Sequence, residues 1–165
     1  MSSHVQPIPH GYHAVTPYLV VNDAAKAIEF YKRAFGAKEL SRMQGPPGKI
    51  GHAELQIGDS IIMLADEMPQ MDTKSPQALG GTTAGLFLYV QDVDAAFQKA
   101  VGAGAKETMP LADMFWGDRY GRLMDPFGHS WSIATHKEDV APEEMEKRMH
   151  AEMAKRSAQK TRTAS

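Results

Sequence analysis

The chain states one pattern twice. From Asp23 it reads Asp-Ala-Ala-Lys-Ala-Ile-Glu-Phe-Tyr-Lys-Arg-Ala-Phe-Gly-Ala-Lys-Glu, and from Asp92 it reads Asp-Val-Asp-Ala-Ala-Phe-Gln-Lys-Ala-Val-Gly-Ala-Gly-Ala-Lys-Glu. Both stretches end in Gly-Ala-Lys-Glu, at 36–39 and at 104–107. An apolar run precedes each, Tyr18 to Val21 and Leu86 to Val90, and the strand-like pieces that follow close on Gly58-Asp59-Ser60 and Gly128-His129-Ser130. The offset stays between 68 and 70 residues throughout. A repeat kept in register that long implies two copies of one supersecondary unit, and the junction of two copies is a natural place for a site.

Each copy carries its own punctuation. A strand is expected over 14–21, followed by Asn22 or Asp23, whose side-chain oxygen can cap a helix. Ala24, Ala27, Ile28, Tyr31, Ala34 and Phe35 then recur at helical spacing, and Gly36 supplies the left-handed stop. Strands are expected at about 37–44, 50–57 and 60–65, joined by Gly45-Pro46-Pro47-Gly48 and Gly58-Asp59. The second copy repeats the order: a strand at about 84–91, a helix from 93 to 103 with Val93, Ala96, Phe97 and Ala100 inward, Gly102 and Gly104 closing it, and strands near 106–111, 119–124 and 130–135. The expectation is an α+β fold of two βαβββ modules, 14–65 and 84–136, with a linker over 66–83. Residues 1–13 read as a loose arm. Pro142 with Glu143 and Glu144 opens a C-terminal helix expected over 137–156, in which Met145, Met149 and Met153 share a face, and 157–165 reads as a disordered tail.

Composition narrows the chemistry. At 165 residues the chain can bury a core without staples, and it has no cysteine, so thiol nucleophiles and Cys-based metal sites are excluded. A formal charge of −2 with interspersed signs gives no basic field for nucleic acid, and no apolar run approaches membrane-spanning length, which points to a cytoplasmic protein.

Two constellations can carry function. His52 and Glu54, two apart on one expected strand, share a face and offer an imidazole and a carboxylate for acid–base work. His129, in the turn before the last strand, is a third imidazole or a capping group. The stretch from Asp113 to Arg122 gathers Phe115, Trp116, Arg119, Tyr120 and Arg122 between glycines: flat apolar area to stack on, with guanidinium groups for an anion. Filling a core, with Arg119 paired to Asp118 or Asp125, would explain the same residues. Trp131, alternating with Ser130 and Ser132, reads as core.

The two modules, the turn Asp125-Pro126-Phe127-Gly128-His129 and the helix ending Phe30-Tyr31 to Phe35-Gly36 resemble the vicinal oxygen chelate (VOC) superfamily, over about 14–136. That superfamily includes lactoylglutathione lyase, extradiol dioxygenases, fosfomycin-resistance enzymes and bleomycin-binding proteins, and the chain is most similar to its glyoxalase/bleomycin-resistance-like, PhnB-like group. The resemblance implies curved sheets around a cleft, a homodimer and a small-molecule ligand. Metal-dependent members place four ligands, generally His, Glu, His and Glu, at positions that fall here on Thr16, Glu54, Gly85 and Ser132. Only Glu54 among them is a competent ligand. The expected function is therefore small-molecule binding without the four-ligand metal site and without a cofactor. Two alternatives stay open: a lyase or dioxygenase of the glyoxalase type, using Zn, Ni, Mn or Fe at a remodelled His52/Glu54 site, and a regulatory domain that binds a partner through the C-terminal helix.

Overall fold

The structure, a computed structural model, describes residues 5–163. Residues 1–4 of the N-terminal arm and the last two residues lie outside the described part. Module one comprises β1 (Tyr18–Val21), α1 (Ala24–Phe35), β2 (Lys38–Gln44), β3 (Ile50–Ile57) and β4 (Ser60–Asp66). The linker holds a 3-10 turn at Pro69–Met71 and a short helix α2 (Pro76–Leu79). Module two comprises β5 (Gly85–Tyr89), α3 (Val93–Ala103), β6 (Lys106–Asp113), β7 (Asp118–Met124) and β8 (Ser130–His136), and α4 (Pro142–Thr163) ends the chain.

The repeat is realised as two four-stranded sheets of matching order, β1-β4-β3-β2 and β5-β8-β7-β6. In each, the first strand runs parallel to the last and the other pairs are antiparallel. The helices start as the sequence dictates. Asp23 accepts from the Lys26 amide and Asp92 from the Ala95 amide, both at 3.0 Å. A second cap comes from the far strand of the same module. Asp66 accepts from the Ala24 amide at 3.0 Å, and Thr135, at the equivalent place, accepts from the Val93 amide at 2.9 Å. Asp66 also takes the Ile50 amide at 2.7 Å, so this buried carboxylate pins helix, hairpin and strand together.

Some boundaries differ from the sequence expectation. β1 begins at Tyr18 rather than at residue 14, because Pro17 has no amide to donate and offers only its carbonyl, which takes the Met63 amide at 2.9 Å. Phe30 is fully buried in α1, whereas Phe35 is partly covered. Gly102 lies within α3, and Gly104 alone makes the left-handed cap. The linker is not all loop: Ser75 caps α2 by accepting from the Ala78 amide. Helix α4 runs to Thr163, past the expected end at 156, so the segment expected to be a disordered tail is helical as far as that residue.

The modules are joined through α1 packed on α3 and through the turn at 125–129. Buried Asp125 collects four donors: the Tyr31 hydroxyl at 2.7 Å, the Trp131 indole at 2.9 Å and the Phe127 and His129 amides at 2.9 Å. Phe127 packs against Phe30 and Tyr31, and Trp131 lies 4.4 Å from Phe35, ring to ring. Trp131 is core, as its alternation implied. His129 is buried and donates through Nε2 to the Val20 carbonyl at 3.0 Å, so it ties module two to β1 and is not a free imidazole.

Candidate functional site

Strand alternation decides which side chains share a face. In β3, His52 and Glu54 project together, as expected, with His52 Nε2 3.3 Å from a Glu54 carboxylate oxygen and His52 Nδ1 3.3 Å from the Tyr18 hydroxyl. Tyr12, from the N-terminal arm, donates to the same carboxylate. Its phenol is pushed up to about 12 by that bond to Glu54 first, then by burial and by the carboxylate charge. Glu54 is correspondingly held below the usual carboxylate range, by the Tyr12 hydroxyl first and also by His52 and Ser41. Sequence patterning missed Tyr12 and Ser41 because one lies in the irregular arm and the other on a neighbouring strand.

A metal fits these residues poorly. Of the four family positions, Thr16 donates to the His13 carbonyl, Ser132 is paired with the Tyr120 hydroxyl at 2.9 Å, and Gly85 has no side chain. Among the described residues no group of three His, Cys, Asp or Glu side chains is arranged to hold a metal ion. A cleft of about 1260 Å³ does run along β1 and β5 under the linker, with Thr16, Tyr18, Lys74 and Phe87 in its wall.

The hairpin β6–β7 builds the richer chemistry. Trp116, Tyr120 and Phe87 form an aromatic ladder, with ring centroids 5.6 Å apart for Trp116–Tyr120 and 5.7 Å for Phe87–Tyr120. Phe115 stands edge-on to Trp116 at 5.0 Å. Arg122 projects on the same face as Tyr120 and reaches the Met109 sulfur at 3.9 Å. Arg119, one position off in the alternation, faces the other way. It is clamped by Asp94 of α3 through two bonds of 2.7 Å and by Asp113 at 3.3 Å. The sequence grouped Arg119 with the ligand-binding residues and offered Asp118 or Asp125 as its alternative partners. The structure makes neither pairing and removes Arg119 from the face that carries Tyr120.

Asp118 is instead the buried anchor of this region. It accepts from the Tyr89 hydroxyl at 3.0 Å, the Trp116 indole at 3.1 Å and His136 Nδ1 at 2.7 Å. Burial, then the bond and charge of Asp118, push the Tyr89 phenol up. The result is a pocket of about 470 Å³ floored by Met109, Met114, Trp116, Tyr120 and Arg122, with Met149, Glu152 and Met153 of α4 as its remaining wall. The methionine stripe of the last helix thus supplies two thioethers to the pocket. Phe87 had its own signal in sequence, since it alternates with Leu86 and Leu88, and it is half exposed on β5.

Paired βαβββ modules joined by the Asp125 turn define the class of protein. Residues 10–133 match the family model described as Glyoxalase/Bleomycin resistance protein/Dioxygenase superfamily, and the chain belongs to that superfamily. It is 47% identical over 142 residues to Uncharacterized protein Mb0911c of Mycobacterium bovis, covering 84% of this chain and 93% of the relative. Among solved structures it resembles TioX from Micromonospora sp. ML1, with 30% identity, a TM-score of 0.61 and coverage of 75% and 98% of the two chains. The PhnB protein from Bacillus cereus shares the fold at 20% identity and a TM-score of 0.58, covering 74% of this chain and 99% of its own. No helix among the described residues is long and apolar enough to cross a membrane.

Proposed function

We propose that this chain is a small-molecule-binding protein whose ligand is a flat aromatic anion held against the β6–β7 hairpin. The observation that carries this reading is the juxtaposition of an aromatic ladder, Phe87, Tyr120 and Trp116, with the Arg122 guanidinium on the same face of the hairpin. Aromatic faces supply stacking area at low entropy cost, and a guanidinium beside them fixes a carboxylate or sulfonate by charge and by two parallel N–H donors. The thioethers of Met109, Met114, Met149 and Met153 adapt to the rest of the ligand. The test is calorimetric titration with 2-naphthoate and its neutral amide. Naphthoate should bind and the amide should bind more weakly; Arg122→Gln should abolish the difference, while Arg119→Gln should leave it intact. Equal binding of acid and amide by the unmodified protein would overturn the anion class, and no binding of either would overturn the site.

The same reading extends to a homodimer. Each sheet has edge strands open to another chain, and Leu40, Met43, Phe87 and Tyr89 leave apolar surface exposed. Light scattering on the purified chain decides it: a mass twice that of the chain supports the dimer and a single chain mass removes it. The metal-dependent alternative rests on His52 and Glu54, which share a face and a hydrogen bond. Elemental analysis after incubation with Ni²⁺, Zn²⁺, Mn²⁺ or Fe²⁺ tests it, with Glu54→Ala as control; stoichiometric metal lost in the variant would restore that reading.

A further inference from the structure

The pocket wall made by α4 is tethered more lightly than any sheet contact. The helix keeps one half-buried stripe, Glu144, Met145, Arg148, Met149 and Glu152, and its root over 137–141 is held at a few points. The Lys137 and Glu138 amides both donate to the Gly117 carbonyl, at 2.9 and 3.0 Å, and Arg148 pairs with Glu138 at 2.8 Å and with Glu144 at 3.0 Å. A further point is His136. Its Nδ1 lies 2.7 Å from Asp118 and its Nε2 lies 2.9 Å from Asp139, on the root of α4.

Both partners of this ring are carboxylate oxygens, which only accept. A neutral imidazole has one N–H and one lone pair, so it can satisfy one of them and must turn its lone pair on the other. Only the imidazolium serves both. Asp118 is buried, and His136 is its sole ion-pair partner among the described residues, so the proton on this ring also offsets the buried charge that orients the Trp116 indole.

We propose that His136 is a proton-controlled latch: as an imidazolium bridging Asp118 and Asp139 it holds α4 against the aromatic hairpin, and loss of its proton frees the root of α4 and opens the pocket. The surrounding charges fit this assignment. From β7 the group facing His136 is Asp118, and the Tyr89 phenol of β5 reaches the ring only through that shared carboxylate. Arg119 is turned to Asp94 and Asp113, and Glu138 to Arg148, so neither competes for the ring; Lys137 adjoins it in the chain. The bond to Asp118 first, then the bond to Asp139, raises the imidazole above its ordinary range. The sign follows: a raised histidine favours the latched form at acid and neutral pH, and that contribution is lost as pH rises through the raised value.

Hydrogen exchange on the full chain without ligand tests this independently of what the pocket binds. After correction for intrinsic rates, α4 amides should lose protection several-fold between about pH 6 and about pH 9, as the raised imidazole gives up its proton. In His136→Gln the protection should be low and the same at both values. Unchanged protection in the unmodified chain, or the same fall in His136→Gln, would overturn the latch. A second readout needs no helix opening. Asp139 is fully exposed and Asp139→Asn disturbs no core, so this variant should lower the midpoint of the His136 ring titration followed by NMR. An unmoved midpoint would equally sink the proposal.

Discussion

Replacing Asp125 should show how strongly one turn binds the two modules. In Asp125→Ala, the Tyr31 hydroxyl, the Trp131 indole and two turn amides lose their acceptor in an environment where Tyr31 is fully buried. A buried donor left unsatisfied costs about 1–3 kcal/mol, and the four are not additive, so the expected loss is about 4 kcal/mol. Tyr31→Phe alone removes one bond to a charged acceptor and leaves three, for about 1.5–3 kcal/mol. In the Asp125→Ala background the same change should be nearly neutral, because it deletes a hydroxyl that no longer has a partner. The coupling expected from the double-mutant cycle is therefore about 2 kcal/mol. Urea unfolding followed by far-ultraviolet circular dichroism is the suitable assay, since Trp131 touches the mutated group and would distort fluorescence. Additivity within about 0.5 kcal/mol, the scatter seen for independent sites, would refute the claim that this bond bridges the modules.

Other expectations follow from the same geometry. Gly117 has φ +98, and a Cβ there would overlap the Glu138 carbonyl, so Gly117→Ala should destabilise the chain by about 1–3 kcal/mol and loosen the root of α4, read by thermal melting and hydrogen exchange. Glu54 is held below the usual carboxylate range, so its contribution to stability is present above the unfolded carboxylate value and lost as pH falls through the folded one. Melting temperatures of Glu54→Gln and the unmodified chain should accordingly differ at neutral pH and converge in acid; a constant gap would contradict the network. Arg122→Gln should weaken naphthoate binding about tenfold, roughly 1.4 kcal/mol, measured by calorimetry.

Most of the fold was legible because the repeat made each module vouch for the other. Asp23 and Asp92, Gly36 and Gly104, and the inward helix faces are local signals, and local chemistry fixed them. The short β1 was legible too, had Pro17 been weighed as a residue that cannot donate to a ladder. The site was legible only in part. Phe115, Trp116, Tyr120 and Arg122 stood together in the chain and stay together in space, but Arg119 belonged to the other face, which strict alternation from Tyr120 would have shown. Asp118 could not be found from sequence. Its donors come from residues 89, 116 and 136, and only the parallel pairing of β5 with β8 and the antiparallel pairing of β7 with β8 bring them to one carboxylate. Tyr12 was hidden for a related reason, since an irregular arm has no period to read.

The most direct test uses the two tryptophans, one in each kind of environment. Both indole N–H groups are hydrogen-bonded to carboxylates, Trp116 to Asp118 beside the pocket and Trp131 to Asp125 in the core, so each should give a resolved resonance in a nitrogen–proton spectrum. Titration with 2-naphthoate should shift the Trp116 indole signal in a saturable way and leave that of Trp131 in place. Saturable binding that leaves Trp116 unmoved, or that moves Trp131 instead, would put the ligand elsewhere and contradict the account.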